Sequence, residues 1–298
     1  MVWCPYTGVE TDIAACNKEH IIPLSLGGSN GFTLPVDAAI NARLGSEVDA
    51  ALSDKDLLTM FRRREFDARG HSKIAPTVKV RNATYGPDSR PAQVTLRGKE
   101  GLTIWDARDR SEVPEENLPG TQMELKFIID PYARMRFTAK VALAAGYEIY
   151  GELFRETADH ASVRALMQAA SFDDAKKTFS SLNMRGLFEH MPVADDQVHY
   201  VQMEKTACAA VAGSVVLARP MQDSVAFTVG ILGQWVGMLN VPADTERYPY
   251  EGLHDLGHAV LLIDGKTERQ PYREFVRRLL ETMTGAPVPM PPGIGESA

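Results

Sequence analysis

The chain has 298 residues, 44% hydrophobic and 24% charged, enough for one large domain or two to three small ones, each with its own core. A net charge of −7 excludes a protein that coats nucleic acid with its whole surface. The longest nearly apolar run, 207–218, is too short to span a bilayer, and the start lacks a basic-then-apolar leader. Three widely spaced cysteines (Cys4, Cys16, Cys208) fit reduced thiols, so the expectation is a cytoplasmic protein with no membrane partner.

Charge is unevenly placed. Residues 1–54 carry two bases and seven acids, net −5, whereas residues 55–100 carry 11 bases and five acids, net +6. Acids suited to a cation, followed by bases suited to a phosphate backbone, are what a phosphodiester-cutting site requires.

Residues 2–24 read as extended, with a turn at Pro5-Tyr6-Thr7-Gly8 and a strand closed by Ile21-Ile22-Pro23. Leu26 to Gly31 is a glycine loop that reverses the chain into a second strand, Phe32 to Val36. Asp37 sits where an N-cap belongs, ahead of Ile40, Leu44, Val48 and Leu52, an apolar stripe repeating every four residues. On that helix Asn41 and Asp49 stand two turns apart, about 12 Å by helical rise, so Asn41 is the better ligand for a cation at the hairpin. A helix is expected over Lys55 to Arg69, with Leu57, Leu58, Phe61 and Phe66 inward and Arg62, Arg63 and Arg64 outward. Period-two stretches at Thr77–Arg81, Ala92–Arg97 and Leu102–Trp105 suggest a small meander, followed by an acidic linker at Ser111–Pro119. Next come a strand at Glu124–Asp130, a long helix at Pro131–Phe154 and shorter helices at Ala161–Ala170 and Asp173–Leu182. A β-rich block is expected at Val198–Met203, Ala209–Leu217, Val225–Leu232 and Trp235–Asn240, then a last helix at Tyr272–Met283.

The ordered series Glu19-His20-Ile21-Ile22-Pro23, Leu26-Gly27-Gly28, Asn41-Ala42-Arg43-Leu44-Gly45 and Val48-Asp49-Ala50-Ala51-Leu52 resembles the HNH endonuclease family with its ββα-metal fold. The resemblance covers roughly residues 4–52. It implies a metal-dependent endonuclease that hydrolyses DNA phosphodiester bonds, RNA not excluded, in bacterial defence or a mobile element. By the family's roles His20 is the general base, Glu19 and Asn41 hold Mg²⁺ or Mn²⁺, and Asp49 supports them from behind. Chemistry agrees with this, because histidine titrates near neutrality and hard oxygen ligands suit those cations. The family's returning-strand asparagine falls at Thr33, which would orient His20 less firmly. Where the family often carries two cysteine pairs, this chain has Cys4 with Thr7 and Asp37 with Ile40, so no structural Cys₄ zinc is expected. Packing of Trp3, Tyr6, Ile22 and Phe32 is expected to hold the hairpin instead.

Arg62, Arg63, Arg64, Arg69 and Lys73 are the candidates for contact with a nucleic-acid backbone. Residues 136–147 resemble a helix that follows this nuclease type in larger bacterial proteins, leaving DNA, a partner or a signal molecule open as what it meets. Two alternatives stand beside the nuclease. One is a catalytically weak nucleic-acid-binding module on the same fold, and the other a zinc hydrolase using His254 and His258. The expected fold class is α+β. It comprises an HNH domain at 1–60, a basic β-rich segment and linker at 61–120, and a mixed domain at 121–285 that could serve a homo-oligomer or regulatory partner. A disordered tail is expected at 286–298.

Overall fold

The computed structural model describes residues 1–70, 73, 77–97, 101–126, 129–186, 195–248 and 256–290. The first turn is where the sequence places it. Strands β1 (Val2–Cys4) and β2 (Val9–Thr11) flank Pro5-Tyr6-Thr7-Gly8, and Gly8 at φ 78° returns its N–H to the Cys4 carbonyl. Trp3, Tyr6, Ile22 and Phe32 are all buried. Strand β3 (Cys16–His20) pairs antiparallel with β4 (Thr33–Asp37), setting His20 opposite Thr33 and Glu19 opposite Leu34. Asp37 then accepts from the N–H groups of Ala39 and Ile40 and starts α1 (Ala38–Leu44), so the expected cap forms. The helix continues past Leu44 in wider π turns, Gly45–Asp49 and Ala51–Lys55.

Helix α2 (Leu57–Glu65) begins on Asp56, whose carboxylate caps Thr59. The expected meander is present. Strands β5 (Val78–Tyr85), β6 (Arg90–Leu96), β7 (Leu102–Asp106), β8 (Ser111–Glu112) and β9 (Met123–Leu125) form an antiparallel sheet ordered β8-β7-β6-β5-β9. The acidic linker thus contributes an edge strand, and the strand expected to run to Asp130 is only three residues long. One face of this sheet closes over Ala83, Ala92, Val94 and Ile104.

Helix α3 (Pro131–Tyr150) starts with proline in its first turn and an Asp130 cap on Ala133. It runs through the interior, with every residue from Ala133 to Gly146 buried except Arg136. Gly151 at φ 60° ends it, so the single helix expected to Phe154 becomes two, the second being α4 (Glu152–Thr157). Helices α5 (His160–Gln168) and α6 (Phe172–Lys176) follow. The strand expected at Val198–Met203 lies instead within α7 (Asp195–Ala210), where Val201, Glu204, Ala207 and Cys208 are buried at helical spacing. Six residues that mix apolar and polar side chains fit either period, and the longer pattern decides it.

The second sheet comprises β10 (Arg185–Gly186), β11 (Ser214–Pro220), β12 (Ser224–Ile231), β13 (Gln234–Pro242), β14 (His258–Ile263) and β15 (Lys266–Pro271), ordered β10-β13-β12-β11-β14-β15 and antiparallel throughout. Helix α8 (Tyr272–Thr284) closes the described chain. The architecture is mixed α+β with several sheets. One continuous apolar core runs from Tyr6, Ile21 and Phe32 through Phe137 and Val141 to Phe227 and Val260. The N-terminal hairpin therefore shares its interior with α3 and the six-stranded sheet. No helix among the described residues is long and apolar enough to cross a membrane. Of the tail expected at 286–298, residues 291–298 lie outside the described residues.

Candidate functional site

Two glycines shape the loop that carries the site. Gly27 adopts φ 78°, and a Cβ on Gly28 would stand 1.8 Å from the Ile22 carbonyl oxygen, so both positions need glycine. The same loop is tied to the second sheet, where Ser214 Oγ donates to the Leu26 carbonyl at 2.6 Å and Ser29 Oγ to that of Gly265 at 2.7 Å.

Successive strand residues leave opposite faces, and this separates Glu19 from His20. Glu19 is 6% exposed and turns inward, where its Oε1 lies 2.6 Å from Lys140 Nζ and accepts from Tyr6 Oη at 3.2 Å. Lys140 comes from the middle of α3, has no exposed side-chain surface, and also donates to Asp49 Oδ1 and Oδ2 at 2.8 and 2.6 Å. Burial alone would lower the lysine's pKa, but the Asp49 and Glu19 carboxylates outweigh it and hold the ammonium charged above its ordinary range. Asp49 is pushed up to about 6, chiefly by burial, against the pull of Lys140. Burial, then the nearby Glu19 charge, raises Tyr6 well above the usual phenol value.

His20 is half-buried on the other face. Its Nε2 lies 2.9 Å from Asn30 Oδ1, a hydrogen bond that fixes the orientation of the ring. Thr33 is its cross-strand neighbour. Asn41 donates from Nδ2 to Asn17 Oδ1 at 2.7 Å. Glu19 and Asp49 thus converge on one cation, an ammonium, while His20 and Asn41 each have a separate partner. The expected ranking of Asn41 over Asp49 assumed α-helical spacing to residue 49, and the π turns from Gly45 onward change that spacing. Among the described residues, no group of three or more His, Cys, Asp or Glu side chains gathers to hold a metal. Mg²⁺ or Mn²⁺ at Glu19 would face the buried Lys140 ammonium, so the donor set in this arrangement does not fit the cation that the HNH resemblance implies.

The arginine run is largely spoken for. Arg63, expected outward, is 9% exposed and donates to the carbonyls of Ser25 and Ser53 and to Asp54, while Phe61 and Phe66, expected inward, are 45% and 37% exposed. Arg62 donates to the Leu232 carbonyl and pairs with Glu65. Arg69 pairs with Asp67 and donates to the Lys73 carbonyl. Arg64 lines a hollow on the five-stranded sheet, and Lys73 is exposed.

His258 opens strand β14 opposite Ala218, so it is not on a helix, and His254 lies outside the described residues. Four residues matter to the site beyond those the motif pointed to. Asn30, in the loop, faces the His20 ring. Lys140 was legible as the single charge in Phe137–Tyr147, an otherwise uncharged helical stretch. Asp56 and Arg134 form a buried bidentate pair at 2.9 and 2.7 Å, with no comparable signal. Neither a family model, nor a curated protein, nor a solved structure matches the chain.

Proposed function

We propose that the protein binds nucleic acid on an HNH-like ββα frame in which Lys140 claims the carboxylate a divalent cation would need, so that it holds its target without cutting it. The observation that carries this reading is the Lys140 ammonium, 2.6 Å from both Glu19 and Asp49 and sealed in the core. The hairpin, the glycine loop and the capped helix supply the frame, and the net +6 of residues 55–100 supplies the attraction for phosphate. A second reading, the metal-dependent endonuclease, is favoured by the Asn30 contact that holds the His20 ring in place.

Incubating plasmid DNA with the protein across a salt series, with Mg²⁺ or Mn²⁺ present, separates the two. The binding reading expects retention that weakens with salt and no nicking. Nicking by the native chain that disappears in His20→Ala would establish the endonuclease instead.

A further inference from the structure

The open face of the five-stranded sheet displays basic side chains that the interior does not claim. Buried Ile104 and Asp106 force Trp105 onto the opposite face of β7, where its indole is 46% exposed. Gln93 stands directly across from it on β6, and Lys79 faces Thr95 one strand further along. A bulge between Val80 and Ala83 adds Arg81 and Asn82, both exposed. Two hollows of about 540 and 460 Å³ adjoin here, and Trp105 and Gln93 line both. Arg81 and Lys126 line one, and Arg64, Lys79 and Arg97 the other. Glu124, 3.7 Å from Lys126, and Glu112, opposite Trp105, also face them, so Lys79, Arg81, Arg97 and Lys126 against these two acids leave two positive charges in excess, Arg64 not counted. Unlike Arg62, Arg63 and Arg69, none of Lys79, Arg81 and Arg97 is in an ion pair among the described residues.

An exposed indole between cations is the chemistry that stacks a base and tracks its phosphates. A duplex keeps its bases stacked on one another and offers the indole none, whereas an acidic peptide would use the cations and leave the indole idle. We propose that this face binds single-stranded nucleic acid, one base stacking on Trp105 while Lys79, Arg81, Arg97 and Lys126 meet the backbone. The proposal deepens the nucleic-acid-binding reading above and rests on it.

The test measures fluorescence anisotropy of a labelled oligothymidine of roughly 15 nucleotides with the full chain, against a duplex of equal length. Binding should favour the single strand, and Trp105→Ala should weaken it about 5- to 150-fold. Trp105→Phe should restore most of the loss, and thermal unfolding of both variants should match the native chain. The logarithm of affinity should fall with the logarithm of salt at a slope of about −2 to −3, reduced in Lys79→Ala/Arg81→Ala. Equal affinity in Trp105→Ala, or polyglutamate displacing the oligonucleotide at equal charge, overturns this proposal while leaving duplex retention intact as evidence for the broader reading. Conversely, tight single-strand binding together with metal-dependent nicking would overturn the broader reading and leave this face standing.

Discussion

At the scale of single residues, the decisive feature is a lysine. Glu19 is legible in the sequence as half of an acid–histidine pair, and it lies on an extended strand paired with Leu34. What it does is set by Lys140, which is 121 residues away in sequence and supplies the charge that lets two carboxylates enter the core. A carboxylate's partner across the fold cannot be read from local spacing. Lys140→Met removes the cation that, among the described residues, pairs with Glu19 and Asp49, and leaves both carboxylates buried. Loss of one member of a buried charge network costs about 3–5 kcal/mol, and urea unfolding should show a loss of that size. A loss below about 1 kcal/mol, the range of an exposed ion pair, would mean the network is not the buried structure described.

At the scale of elements, sequence periodicity and chemistry diverge where charge is buried. The hairpin, the Asp37 cap and the meander follow from alternation, turn residues and capping, all local. Hairpin β14–β15 rests on a local signal too, the Asp264-Gly265 turn with positive φ at both residues. In helix α2 the Ser25 and Ser53 carbonyls draw Arg63 inward while Phe61 and Phe66 face out, and three adjacent arginines give no local sign of which one is buried. Helix α7 departs from the expected strand for a related reason, since its buried face includes Glu204. That carboxyl has no exposed surface, accepts from Tyr272 Oη at 3.0 Å and lies 3.5 Å from the Arg219 guanidinium, yet burial pushes it up to about 7 despite hydrogen bonds from Thr228 and Tyr272.

This burial has a measurable sign. Between its ordinary value of 4.5 and its folded value of about 7, the folded chain keeps a proton that the unfolded chain releases. Stability from this group is therefore complete below about pH 4.5, declines as pH rises to about 7, and is flat above, a change on the order of 3 kcal/mol. Thermal melts of the native chain and Glu204→Gln from pH 5 to 8 should show a native decline that the amide flattens. Parallel profiles would contradict the assignment.

At the scale of the whole molecule, the hairpin is not an appendage. Its loop is bonded to Ser214 and Gly265, its core is continuous with α3 and the second sheet, and Arg134 ties Asp56 to Gln234 and to the Trp235 carbonyl. The sequence presents the ββα frame and the sheets separately, and their union depends on pairings between residues 78–236 positions apart that no local pattern encodes. That union brings α3 and its lysine against Glu19, and the proposed loss of cation chemistry follows from it. The most direct measurement is calorimetric titration of the native chain with Mn²⁺. No stoichiometric binding is the predicted result. One Mn²⁺ bound per chain, and lost in Glu19→Gln, would contradict the account.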